Sequence, residues 1–142
     1  MSDNFVHRSQ ISLRSAQALV TAAIGHATAI EIAISVVVVD GAGNVIASAR
    51  MDDAPLGAMR LATDKAYTAS LWQIPSGDLR LSSQPGGDDW GVTSTEGGRV
   101  VVYEGGIPVF TDNGLAGAIG VSGGTGAQDA ECAQTSIRAV LG

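Results

Sequence analysis

The sequence predicts an α+β fold in which an antiparallel sheet of about five strands is flanked by helices, in the order α-β-β-α-β-β-β-α. Apolar residues recur at helical spacing in three segments. β-Branched runs are separated by short turns rich in Gly, Asp and Asn. The strands come in adjacent groups instead of alternating singly with helices, and this order favours antiparallel pairing over a doubly wound parallel sheet.

The first predicted helix covers residues 13–30, and a hairpin follows it. Ser12 precedes the helix as a typical N-cap residue. Residues 34–39 form a β-branched run, residues 40–44 read Asp-Gly-Ala-Gly-Asn, which is typical of a turn, and residues 45–50 supply the partner strand. The apolar face of the helix repeats every three or four residues: Ala16, Leu19, Val20, Ala23, Ile24 and Ala27.

A second helix, a three-stranded meander and a third helix complete the prediction. The second helix covers residues 56–72, after Pro55 and before Pro75. Residues 76–99 are polar and glycine-rich, with at most a short helical turn around 78–81. Strands are predicted at 100–104, 107–111 and 115–122, because Gly105-Gly106 and residues 112–114 are strong hairpin turns. The last helix runs over about 126–140.

Residues 117–133, GAIGVSGGTGAQDAECA, are rich in glycine without forming a nucleotide-binding loop. They contain no G-x-G-x-x-G frame and no P-loop lysine. Thr125 and Gln128 have the spacing of a capping box for the last helix. The strand before it has one nearly bare face, which predicts the close approach of a helix, another subunit or a flat ligand. The bulky face is Leu115, Ile119 and Val121, and the bare face is Ala116, Ala118, Gly120 and Ser122.

Composition limits the classes of function. The 142 residues predict one domain, 1–142, and the 14 acidic and 8 basic residues give a net charge of −6, which would repel nucleic acid and anionic lipid. No signal peptide or long apolar run is present, so a cytoplasmic protein without membrane partners is predicted. One cysteine, Cys132, and two histidines cannot form a closed zinc site.

The balance of apolar and charged residues predicts self-association. Hydrophobic residues make up 45% of the chain and charged residues only 15%. Because a short chain exposes much of its surface, part of this apolar surface is expected to be covered by copies of the same chain. The alternative is a monomer with a surface rich in alanine and glycine.

Lys65 is a candidate catalytic residue because it is the only lysine in the sequence. It lies in the middle of the second helix among small residues, Ala62, Ala66 and Ala69. A lysine enclosed there would bind its proton less tightly and would serve as a base or as a partner for an anionic group. The alternative is an exposed lysine paired with a nearby acid such as Asp52 or Asp64.

Two further candidates come from strand and helix ends. Arg50 ends a strand where ligand-binding loops often lie, although a salt bridge with the aspartates that follow Met51 is an equal alternative. His26 lies near the end of the first helix and is the candidate metal ligand, whereas a helix-end cation is the ordinary role for such a histidine. The motifs of serine hydrolases and zinc proteases are absent from the sequence.

Three separated segments resemble one protein family. Residues 36–69, VVVVDGAGNVIASARMDDAPLGAMRLATDKAYTA, residues 102–109, VYEGGIPV, and residues 117–133 are similar to the GlcG/HbpS-like family, also called the heme-binding or heme-degrading domain family, which includes the C-terminal domain of PduO-type proteins. The resemblance implies a profilin-like or PAS-like fold and homo-oligomers, often octamers. It implies heme binding or heme sensing in some members and proximity to catabolic enzymes in others.

The resemblance also marks residues that look like a pocket. The matching positions include Arg50, Asp52 and Lys65, the pair Gly105-Gly106, and the strand end from Gly120 through Ser122 to Gly124. Two functions are consistent with them, so whether the chain is an enzyme stays open. The first is a small-ligand-binding protein for heme or another flat anionic ligand, with Arg50 or Lys65 on its carboxylates. The alternative is a cofactor-independent isomerase or lyase of catabolism, with Lys65 as general base and backbone N–H groups near Gly105 and Gly106 holding an oxyanion.

Overall fold

A computed structural model describes residues 3–142, and within them the chain forms three α-helices and four strands. The elements are α1 Leu13–Ala29, β1 Ser35–Val39, β2 Val45–Arg50, α2 Ala58–Trp72, β3 Gly106–Thr111, β4 Gly114–Ser122 and α3 Gly126–Leu141. The α+β class and the antiparallel sheet are therefore confirmed. Short 3₁₀ turns, beginning with Ser76–Leu79, occupy the polar segment between α2 and β3.

The sheet has the order β2-β1-β4-β3, and every neighbouring pair is antiparallel. All five residues of β1 are buried, because helices cover both faces of this central strand. Val36 and Val38 pack in one cluster with residues of α1 and α3. Val37 and Val39 pack in a second cluster with alanines of α2. The sheet therefore separates α2 from the other two helices.

The prediction of a strand at residues 100–104 is wrong. The helices and strands therefore follow the order α-β-β-α-β-β-α. This segment is apolar because Val100 packs with Leu79 and Val92 under the polar loop. Its backbone does not join the sheet, since the Val101 N–H donates to the side chain of Thr68 on α2 at 3.0 Å. An apolar, β-branched run predicted a strand here, but its hydrogen bonds go to a helix side chain.

The signals predicted at the starts of α1 and α3 are confirmed, whereas α2 begins at Ala58, two residues later than predicted. Ser12 accepts a hydrogen bond from the Ser15 N–H at 3.1 Å and caps α1. Thr125 and Gln128 form both hydrogen bonds of a capping box at the start of α3. Within residues 3–142, no helix is both long and apolar enough to cross a membrane.

A β-bulge changes the faces predicted for β4. The register pairs Val109 with Gly117 and then Phe110 with Leu115, so Ala116 is an extra residue. Ala116 consequently joins Ile119 and Val121 in the cluster beneath α1 and α3, and Leu115, which was expected there, leaves it.

The bare face of β4 accommodates a helix. A Cβ atom added to Gly120 would overlap the carbonyl oxygen of Ala62 in α2. Ala118, also on this face, packs among the alanines of α2. Of the three occupants considered for this face, the structure therefore shows a helix, and α2 lies close enough to the sheet for Lys65 to reach its end.

Candidate functional site

Lys65 lies at the end of the sheet where β4 stops and β3 begins. Only 2% of its side chain is exposed. Its Nζ donates to the Val121 carbonyl at 2.9 Å and to Asp129 Oδ2 at 3.0 Å. The expectation of an exposed lysine paired with Asp52 or Asp64 is wrong: Asp52 is exposed without an ion pair within residues 3–142, and Asp64 pairs with Arg99 at 3.4 Å.

Asp129, in the first turn of α3, is the partner that sequence reasoning missed. Its side chain is 3% exposed, and its second oxygen, Oδ1, accepts a hydrogen bond from the Gly124 N–H at 2.8 Å. A carboxylate is favourable at this end of a helix. The same carboxylate therefore fixes the turn between β4 and α3 and holds the ammonium of Lys65.

Gly105 and Gly106 make room for Lys65. Gly105 has φ +129°, and a Cβ atom there would lie 3.0 Å from both Cδ and Nζ of Lys65. A Cβ atom on Gly106 would overlap the backbone of Lys65 and lie 2.8 Å from Ser76 Oγ. The Gly106 N–H already donates to Ser76 Oγ at 2.9 Å, so it is not free to hold an oxyanion. These glycines shape the channel of the lysine.

An open cavity of about 400 Å³ begins at this ion pair. Arg80 lines it and has no ion pair with any residue that the structure describes. Ser122 also lines it, and the neighbouring Ser35 of β1 has a buried hydroxyl that finds no hydrogen-bond partner among residues 3–142. The remaining lining residues are Leu61, Lys65, Tyr103, Glu104, Gly124, Gly126, Ala127 and Asp129.

Five of the six predicted ligand-binding residues lie outside this lining, and Ser122 is the one that belongs to it. Arg50 and Asp52 are exposed, and neither belongs to the wall of the cavity. The strand register places Arg50 opposite Ser35, which in turn pairs with Ser122, so Arg50 is two strands away. Gly120 lies beneath α2. The structure brings together Lys65, Gly105 and Ser122, and leaves Arg50 and Asp52 apart from them.

His26 lies in the layer formed by α1 and α3. Its Nε2 is 2.8 Å from Glu131 Oε2, and 24% of its side chain is exposed. Glu131 follows Asp129 by two residues, so the two carboxylates project from different sides of α3. Within the described chain, no group of three or more His, Cys, Asp and Glu side chains is placed to hold a metal ion.

Cys132, the next residue along α3, is fully buried and forms no disulfide. Burial, and to a smaller extent the charges of Asp129 and Glu131, raise the pKa of its thiol to about 11. The thiol therefore stays protonated at neutral pH. Cys132 is therefore a small core residue and not a thiolate ligand.

Comparison with known proteins gives consistent matches over nearly the whole chain. The HbpS-like family, described as haem degrading protein HbpS-like, matches residues 11–138. The corrinoid adenosyltransferase PduO of Salmonella typhimurium is 35% identical over 130 residues, which are 92% of this chain but 39% of PduO. The chain therefore spans well under half of that relative.

Two solved structures have the same fold. The Klebsiella pneumoniae protein ORFY superimposes with a TM-score of 0.95 at 30% identity, over 99% of this chain and 97% of its own. A PduOC:heme complex superimposes with a TM-score of 0.89 at 34% identity, over 92% of this chain and 95% of its own. The second of these similar proteins was solved with heme.

Proposed function

Because the chain belongs to the HbpS-like family, we propose that it binds heme, or another flat anionic ligand, in the cavity beside Lys65. The observation that carries the proposal is a nearly buried ammonium in the wall of an open cavity. Lysine is rarely buried without a reason, since removing a charge from water is costly. Here the charge is balanced by Asp129 and still borders a space for a ligand.

The cavity has the size and polarity of a small-molecule site. Its volume of about 400 Å³ lies within the usual range for ligand pockets. Arg80 provides a guanidinium that forms no ion pair within the described part of the chain, and its planar geometry suits a carboxylate. Gly124 and Gly126 leave one wall without side chains, next to the N-terminal end of α3. These features support an anionic group held among Arg80, Lys65 and this helix end.

Heme fits this cavity through its carboxylates and one candidate iron ligand in the lining, Tyr103. The propionates would contact Arg80 and Lys65. Tyr103 lines the cavity, and tyrosine is one of the side chains that hold heme iron. His26 has a carboxylate on Nε2, which is the usual second partner of a metal-bound imidazole, but it lies outside the cavity. A bound heme would supply the iron centre, and this chain would supply its contacts.

The isomerase or lyase alternative is not favoured. Lys65 donates hydrogen bonds from its ammonium to Val121 and Asp129, whereas a general base needs a free lone pair. The N–H of Gly106, expected to hold an oxyanion, is used by Ser76. The solved neighbour with heme favours ligand binding.

Self-association and the cellular location of the protein stay predictions. Several large apolar side chains are strongly exposed, among them Leu56, Leu81 and Trp90. This exposure supports a homo-oligomer, and the octamer expected from the family resemblance stays a prediction. The cytoplasmic location and the single domain over residues 1–142 also stay predictions.

A hemin titration of the purified protein, followed by absorbance, tests the proposal. We expect a saturable, shifted Soret band at about one heme per chain or per pair of chains. Arg80→Gln should weaken hemin binding about tenfold or more, because a charged hydrogen bond is lost. The absence of a saturable band in the parent protein would contradict heme as the ligand.

Paired variants identify the iron ligand. His26→Ala is compared with His7→Ala, and Tyr103→Phe with Tyr67→Phe, whose hydroxyl contacts Glu96 instead of the cavity. The Soret band should change in either His26→Ala or Tyr103→Phe, but not in both. It should stay unchanged in the two control variants. Unchanged spectra in both test variants would remove His26 and Tyr103 as ligands.

A further inference from the structure

Glu104 places a carboxylate in the wall of the cavity. It forms no ion pair or hydrogen bond through its side chain with residues 3–142. It lines the 400 Å³ cavity and also a neighbouring one of about 290 Å³, so it stands between the two. The other carboxylate of the cavity, Asp129, already holds Lys65 and Gly124. Glu104 therefore has its acceptor oxygens available.

Two glycines leave the space that the side chain of Glu104 occupies. A Cβ atom added to Gly77 would lie 2.6 Å from its Cγ, and one added to Gly126 would lie 3.3 Å from its Cβ and 3.4 Å from its Oε2. The side chain thus lies in a slot that larger residues would fill. The slot ends at the start of α3, where a negative charge is favourable. Glu104 is held at the cavity by the backbone on both sides.

The cavity consequently has two chemically different sides. Arg80 and the ammonium of Lys65 can only donate hydrogen bonds, whereas Glu104 can only accept them. A ligand that is anionic throughout would bring a like charge against Glu104. A ligand with a carboxylate at one end and a hydroxyl or ammonium near it would satisfy both sides.

We propose that Glu104 determines the specificity of the cavity and that the cavity selects small carboxylates that also carry a hydrogen-bond donor. This inference rests on the proposed binding of an anionic ligand beside Lys65 but not on heme. Small carboxylates without such a donor are disfavoured by the same carboxylate. The Ser122 hydroxyl lies in the same wall and can either donate or accept, so it does not discriminate.

Three matched acids test this selectivity. Propionate, L-lactate and L-alanine share a three-carbon carboxylate and differ in carrying no donor, a hydroxyl and an ammonium. Each is titrated into the ¹⁵N-labelled protein while the amide signals of Gly124 and Gly126 are followed by NMR. We expect lactate and alanine to bind about tenfold or more tighter than propionate, the effect of one hydrogen bond to a charged group.

Two substitutions separate the charge of Glu104 from its acceptor atoms. Glu104→Gln removes the charge and keeps an acceptor, so the preference for alanine should fall strongly while part of the preference for lactate survives. Glu104→Met removes both, and the three acids should then bind within about threefold of one another. Glu31 is exposed and lies outside the cavity, so the same substitutions there should leave the order of the affinities for the three acids as it is in the parent protein.

The outcomes distinguish this inference from the heme proposal. Hemin binding without any response to the three acids, or with equal binding of all three in the parent, overturns the role of Glu104 and leaves heme binding standing. Selective binding of lactate and alanine that is lost in Glu104→Met supports the inference even where hemin gives no saturable band. An unchanged preference in Glu104→Met overturns it.

Discussion

Two acids near the start of α3 each pair with a basic side chain, one inside the protein and one at its surface. Asp129 meets Lys65 at 3.0 Å, with both side chains at most 3% exposed. Glu131 meets His26 at 2.8 Å, with exposures of 54% and 24%. The distances are nearly equal. The difference lies in the surrounding medium, which decides how much each partner depends on the other.

The buried pair connects parts of the fold that the sheet separates. Lys65 belongs to α2 on one face, whereas Asp129 belongs to α3, which packs with α1 on the other face. They meet around the end of β4, where Gly105 and Gly106 leave room. The His26 pair joins α1 and α3, which already pack together on one face of the sheet. One pair therefore shapes a cavity, and the other lies across an existing helix contact.

The largest expected effect follows from removing one partner of the buried pair. Asp129→Ala leaves the Lys65 ammonium buried without a counter-charge, and this should lower the free energy of unfolding by about 3–5 kcal/mol. Glu131→Ala leaves only a partly exposed histidine and should cost less than about 1 kcal/mol. Urea unfolding of the two variants measures the difference. Equal losses would show that burial does not distinguish the pairs.

A double replacement sharpens the same comparison. Lys65→Met combined with Asp129→Leu removes both charges, so its loss should be clearly smaller than that of Asp129→Ala alone. Lys65→Ala is consequently expected to destabilise the fold, in contrast to the small effect that a surface lysine would have. A double variant as unstable as the sum of the single ones would argue against a direct coupling of the two charges.

Local features of this region were predictable from sequence, and long-range ones were not. The capping box of Thr125 and Gln128 depends on residues three apart, and it was recognised correctly. Lys65 and Asp129 are 64 residues apart, and nearer acids such as Asp64 offered simpler partners. The predicted strand at Val101 failed for the same reason, because its N–H finds Thr68 across 33 residues. Composition and spacing describe neighbours in the chain, whereas the site depends on neighbours in space.

A smaller effect is expected from Cys132, which follows Glu131 on α3. Its pKa is raised to about 11 from an ordinary value of 9.0, first by burial and then by the charges of Asp129 and Glu131. The folded state therefore binds this proton more tightly than the unfolded state. Its contribution to stability is complete below the unfolded pKa and is lost as the pH rises from about 9 to about 11.

Cys132→Ala isolates this contribution. The difference in free energy of unfolding between parent and variant should be constant up to about pH 8 and should narrow through the window from about 9 to 11. Unfolding curves at several pH values measure this difference in free energy. The packing lost with the sulfur atom adds a contribution that does not change with pH. A difference that is flat across the window would mean that the thiol does not titrate differently in the two states.

The smallest expected effect is the coupling of His26 with Glu131. Both side chains are partly exposed, so water and salt screen their attraction, and ordering two side chains offsets part of the gain. A double-mutant cycle of His26→Ala and Glu131→Ala should give a coupling of less than about 1 kcal/mol. Raising the ionic strength from about 0.1 M to about 1 M shortens the screening length from about 10 Å to about 3 Å and should reduce this coupling further. The Lys65–Asp129 coupling, measured in the same way, should change little with salt because the pair is enclosed. A large, salt-independent coupling for His26 and Glu131 would place this pair in a dry environment, and the difference between the two acids of α3 would then have to lie in something other than exposure.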